Sequence, residues 1–172
     1  MKPWSLIAAA LMAGCAAQPA APPLTPEPAL TPQQADARTR PDLHTQLGIG
    51  YYELRNFAVA LQELNEALRA DPNHGPAYNV LGLVYMELRE DAAAEQNFQQ
   101  ALRISSLDSD ANNNYGWFLC QHKRYAEGIQ HFMTAVKNPL YKTPDKSYVN
   151  AGMCARECGE QAAGWEYIPR AL

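Results

Sequence analysis

Glycines and small residues recur through this chain at a fixed interval of 34 residues. Leu47-Gly48, Leu81-Gly82 and Tyr115-Gly116 stand one interval apart, and a fourth copy, Ala151-Gly152, follows with two extra residues. Ala60, Ala94, Gly128 and Gly164 repeat the small residue twelve positions later, and Leu64, Phe98, Phe132 and Ile168 the large one after that. Tyr51 and Tyr85, then Ala67 and Ala101, keep the same interval. A period of this length selects an architecture in which each unit stacks only on its neighbours, because no single unit can bury its own apolar face.

The interval and its residue types are those of the tetratricopeptide repeat, a pair of antiparallel helices, A and B. The glycines are expected where helix A crosses helix B, and the aromatic and aliphatic positions between repeats. The expected fold is all-α, a solenoid of about four helix pairs at residues 41–172, with repeats at 41–74, 75–108, 109–142 and 145–172. The expected helices are Asp42–Leu54 and Phe57–Ala70, Pro76–Leu88 and Asp91–Ile104, Asp110–His122 and Tyr125–Lys137, then Lys146–Cys158 and Gln161–Ala171. Asp71-Pro72-Asn73 ends the first pair, since proline cannot continue a helix and Asp and Asn favour turns. The last helix stops at Arg170-Ala171-Leu172 without the polar cap that ends a solenoid, so a partial sequence is expected.

Residues 1–14 carry one lysine, a short apolar run from Leu6 to Ala13, and small residues before Cys15. This reads as a signal peptide. Leu11-Met12-Ala13-Gly14-Cys15 resembles the bacterial lipobox, which implies cleavage before Cys15 and acylation of its side chain and amino group. Ala16 follows where an Asp would retain the protein in the inner membrane, so the resemblance implies the periplasmic face of the outer membrane. Acyl chains in the plural give the multiple anchors that stable attachment needs. Residues 15–40 contain Pro19, Pro22, Pro23, Pro26, Pro28 and Pro32 and have no apolar period. They read as an extended tether reaching about 75 Å at roughly 3.1 Å per residue.

Enzyme signatures are missing: no Walker loop, nucleophile elbow or HExxH motif occurs. No metal or cofactor and no small-molecule substrate is indicated. A net charge of −4 argues against a nucleic-acid surface, which is usually basic. His44, His74, His122 and His131 are isolated. Cys120 and Cys154 fall on neighbouring A helices and could bridge, with Cys158 one turn further as a competing partner and free thiols as the alternative. The remaining use for this fold is protein binding along the A helices. The outward candidates are Thr45, Ile49 and Tyr52; Asn79, Leu83 and Met86; Asn113, Trp117 and Cys120; and Val149 and Met153. Large apolar groups beside asparagine suit an extended peptide or a partner helix. Trp117 fits either the groove or a wedge between repeats.

Tyr115-Gly116-Trp117-Phe118-Leu119-Cys120, Asn138-Pro139-Leu140-Tyr141 and Asn150-Ala151-Gly152-Met153-Cys154 exceed what the repeat requires. With the lipobox, they resemble the PilW/PilF family of type IV pilus biogenesis lipoproteins. The resemblance implies an outer-membrane pilotin whose partner is the pilus secretin subunit, and a role in secretin multimerisation, pilus extrusion and twitching motility. It also implies a Cys120–Cys154 disulfide, and a family in which further repeats usually follow. The alternative function is a periplasm-facing repeat lipoprotein that recruits cell-envelope enzymes.

Overall fold

The computed structural model describes residues 32–159 and Tyr167, with side chains from Thr39 onward. Seven helices lie among the described residues: α1 Pro32–Glu53, α2 Phe57–Ala70, α3 Gly75–Glu87, α4 Asp91–Ile104, α5 Ser109–Gln121, α6 Tyr125–Ala135 and α7 Pro144–Glu157. They alternate as A and B helices. Helices α1, α3 and α5 each pack against the B helix that follows, and α1, α3, α5 and α7 touch one another in sequence. The helix expected after α7, with Gly164, Ile168 and Ala171, falls outside the described residues. So do the expected signal peptide, Cys15 and the expected tether as far as residue 31.

The close crossings fall on the glycines. A Cβ on Gly48 would meet the Leu64 side chain at 2.7 Å, and one on Gly82 the Phe98 ring at 2.6 Å. At α5–α6 the approach is mutual: a Cβ on Gly116 would lie 2.9 Å from the Gly128 carbonyl oxygen, and one on Gly128 2.8 Å from the Gly116 carbonyl. Leu64, Phe98 and Phe132 are fully buried beside these crossings. Phe98 packs on Tyr115 and Phe118 with ring centroids 5.8 Å from each, so aromatic burial joins repeat two to repeat three.

Local chemistry fixes the ends. Asn56 and Asp108 cap α2 and α5 by accepting from the backbone N–H of Val59 and Ala111, contacts worth about 1 kcal/mol each. After α2, Asp71 turns to extended backbone and its carboxylate accepts from the Asn73 N–H at 2.9 Å. Each A-to-B turn needs one left-handed residue, and these are Arg55, Arg89, Lys123 and Gly159. Only the last is free of the Cβ conflict, which costs roughly 1–2 kcal/mol per residue. Arg55 gains an ion pair with Glu87 at 3.1 Å and a seat over the Phe57 ring. Arg89 has no such contact among the described residues, so Arg89→Gly is expected to raise stability by about 0.5–1 kcal/mol. A denaturant midpoint shifted upward at unchanged slope would show it; an unshifted midpoint would count against turn strain.

Most boundaries lie within one or two residues of the sequence expectation, and the start of α1 departs further. The longer connection Asn138–Thr143 precedes α7, which begins at Pro144 rather than Lys146. At the other end α1 starts at Pro32, so residues 32–40, expected as tether, are helical. Pro32 occupies the first turn, where a missing N–H costs nothing. Gln33, Gln34, Ala35, Ala37, Arg38 and Arg40 are all good helix formers. Pro41, expected to begin the repeat just ahead of a helix starting at Asp42, lies inside the helix instead, and Thr45 Oγ1 donates to the Pro41 carbonyl at 2.8 Å.

Candidate protein-binding groove

The A helices present one shared face, and the expected groove residues divide on it by burial. Tyr52, Leu83, Met86 and Trp117 are half-buried, while Val149 and Met153 are exposed. Each half-buried residue also rests on a core cluster: Tyr52 on the first, Leu83 and Met86 on the second, Trp117 on the third with Cys120, Phe132, Ala151 and Cys154. Trp117 therefore packs between repeats, as one of the two sequence readings had it, while part of its surface stays open to solvent. Burial, with the Glu87 charge beside it, raises the Tyr52 hydroxyl pKa, so Tyr52 stays a neutral hydroxyl at neutral pH.

The asparagines behave differently. Asn113 is only 2% exposed, and its Oδ1 accepts from Ser147 Oγ and Asn150 Nδ2, both at 3.0 Å. Asn114 donates to Asn79 Oδ1 at 3.1 Å, and Asn113 donates to Asn114 Oδ1 at 3.3 Å. A chain of amides thus crosses α3, α5 and α7. Asn113 was expected to face a partner; the structure uses its oxygen to hold α7 against α5. Asn79, 8% exposed, is also mostly enclosed. Thr45 is buried on its own helix. The sequence reading missed Asn114, Ser147 and Asn150, because amide pairing leaves no periodic mark in a sequence.

Cys120 and Cys154 are joined in a disulfide, with Cα atoms 5.8 Å apart, and Cys158 remains a free thiol. The bond leaves Cys120 unavailable to a partner. Gly128 makes room for it, since a Cβ there would stand 2.6 Å from Cys120 Sγ.

Behind the groove, Glu95 of α4 accepts from Tyr115 Oη at 2.8 Å and pairs with Arg124, which also grips Glu127. His131 lies edge-on to Tyr115, 4.8 Å between centroids. The Asn112 NH2 group is taken by the carbonyls of Ser106 and Asp108, so its oxygen faces His131 Nδ1 at 2.9 Å. Nδ1 therefore carries the proton of a neutral ring. Burial pushes the His131 pKa down, against the pull of Glu127. Stability from a histidine lowered on folding is full above its unfolded pKa, near 6.5, and is lost as pH falls below that value through the lower folded pKa. His122 opposes it: hydrogen bonds to Asp91 and the Phe118 carbonyl raise its pKa, a contribution lost as pH rises. His122 is largely exposed and screened, so His131 is expected to dominate. His131→Gln should flatten the fall in melting temperature between about pH 7 and 5; an unchanged slope would place the acid sensitivity elsewhere.

Among the described residues no helix is long and apolar enough to cross a membrane, and no cluster of three His, Cys, Asp or Glu could hold a metal.

Stacked A/B pairs in a 34-residue frame, crossing at glycine, define a tetratricopeptide-repeat protein, and the tetratricopeptide repeat family model matches residues 45–109. The chain has that fold, and the solved structures it resembles include two type IV pilus proteins. It is 33% identical to PilW, a widely conserved type IV pilus biogenesis factor, over 77% of this chain and 60% of that one, at a TM-score of 0.73. It is 30% identical to PilF of Pseudomonas aeruginosa over 79% and 61%, at 0.76. The chain thus spans about 60% of the length of each. MamA, 18% identical over 78% of both chains at 0.64, shares the fold. Comparison with curated protein sequences gives no match.

Proposed function

We propose that this chain acts in type IV pilus biogenesis as a non-enzymatic adaptor. It is tethered by acyl chains on Cys15 to the periplasmic face of the outer membrane and promotes multimerisation of the pilus secretin. The likeness to PilW, at 33% identity and TM-score 0.73, carries the reading. The groove supplies the means: Tyr52, Leu83, Met86, Trp117 and Met153 offer apolar area to a secretin segment. The amide chain and disulfide keep α3, α5 and α7 in fixed register, so little ordering is lost when the segment docks. The test is the ratio of heat-resistant secretin multimer to monomer in outer-membrane fractions. Multimer lost on deletion, restored by the intact gene but not by Cys15→Ser or Met153→Glu, supports the reading. Met153 is exposed, so its variant leaves the fold intact. Unchanged multimer and normal pili would overturn the assignment.

A further inference from the structure

Gly50 is a helical glycine with nothing near it. A Cβ there would meet no atom within 4 Å, whereas Gly48, Gly82, Gly116 and Gly128 are each forced by an atom under 3 Å away. Internal packing gives no reason for a glycine in the last turn of this helix, where it costs helix stability. Around it, Leu43, Leu47 and Leu54 are 60%, 42% and 76% exposed. Leu43, Leu47, Gly50 and Leu54 succeed one another at four, three and four residues, the spacing of a seam between two packed helices.

The repeat frame shows what this face is. At the position of Leu54, just past the helix, stand Leu88 and His122, both exposed; at those of Leu43, Leu47 and Gly50 stand Ala77, Leu81 and Val84 one interval on, and Ala111, Tyr115 and Phe118 two intervals on. None of the last six exceeds 5% exposure. They are covered by the preceding B helix: α2 lies on α3 and α4 on α5. On α1 the same face lies bare among the described residues, but its taper is reversed. The inner repeats run from small to large along the A helix, Ala to Val or Phe. The first runs from large to small, Leu43 to Gly50. A B helix in the usual register would find a bulge where it needs a hollow.

One helix has the matching profile, which is α1 itself. Turned end for end about the point midway between Gly48 and Ile49, a second α1 sets each Leu47 over the partner's Gly50 and each Leu43 beside the partner's Leu54. Knob meets hole on both sides of the axis, as a two-fold contact requires. We propose that two copies of this chain pair through antiparallel α1 helices, Leu47 of each seated on Gly50 of the other. The pairing is independent of the pilus reading and leaves the groove face free.

Sedimentation equilibrium of the full chain in density-matched detergent tests it. The expected result is a concentration-dependent dimer. Leu54→Glu, at an exposed site, should abolish it with helical circular dichroism unchanged. Leu47→Gly removes the knob and Gly50→Leu fills the hole, so each should weaken association by about tenfold or more. The exchange variant Leu47→Gly/Gly50→Leu puts the knob back over the hole and should restore the dimer. A wild-type monomer at all concentrations would overturn the proposal. So would a dimer indifferent to Leu54→Glu, or an exchange variant no better than the single ones.

Discussion

Cutting the Cys120–Cys154 disulfide is expected to remove about 3–4 kcal/mol of stability. The two cysteines are 34 residues apart, and closing a loop of that length restricts the unfolded chain by roughly this amount on the entropy model. The bond also ties α5 to α7 across the step where the repeat frame slips by two residues. Apart from the backbone, no other covalent link among the described residues spans that step. Cys120→Ser/Cys154→Ser, or the wild type under reductant, should therefore melt several degrees lower, while Cys158→Ser melts with the wild type under oxidising conditions. Equal melting of the oxidised and reduced protein would show that the amides of Asn113, Ser147 and Asn150 hold the step unaided.

Gly128→Ala should cost about 2–3 kcal/mol, even though alanine favours a helix over glycine by about 1 kcal/mol. The added Cβ would fall 2.6 Å from Cys120 Sγ and 2.8 Å from the Gly116 carbonyl oxygen. Neither obstacle can swing aside: one is fixed in the disulfide and the other is helix backbone. Overpacking of this kind forces the helices apart, and α5 and α6 would separate over the fully buried Phe132. Denaturant unfolding measures the loss. A neutral or stabilising Gly128→Ala would mean that the α5–α6 crossing is looser than its geometry. In the double variant with Cys120→Ala the penalty should shrink, because one of the two obstacles is gone.

Crossings, cores and turns were legible because each imposes a residue type. Two helices in contact require glycine at Gly48, Gly82 and Gly116, and the space beside them requires Leu64, Phe98 and Phe132. Helices α2 and α4 accordingly lie where the pattern put them, at Phe57–Ala70 and Asp91–Ile104. The start of α1 was misread because prolines signal both a tether and a first helical turn. Pro32 is the second and Pro41 is neither. The groove was legible only in part. Apolar positions such as Leu83 and Met86 follow from helix periodicity, but whether an asparagine faces a partner or its neighbour depends on what stands opposite. Asn113 has Ser147 and Asn150 opposite it, and only the packed structure shows this.

The amide chain has a mechanical consequence. It splints α3, α5 and α7 into one block, which the disulfide reinforces at its far end. The first repeat joins that block by packing, by a hydrogen bond from Tyr78 to the Pro72 carbonyl, and by two ion pairs, Arg55 with Glu87 and Asp42 with His74, each with one largely exposed member and so of little strength. A load drawn along the molecule from its N-terminal end would thus be met in sequence, with α1 and α2 yielding before α3 moves. Backbone amides of the first repeat should exchange with solvent ahead of those in the block. Such a molecule gives at one joint and keeps its shape beyond it.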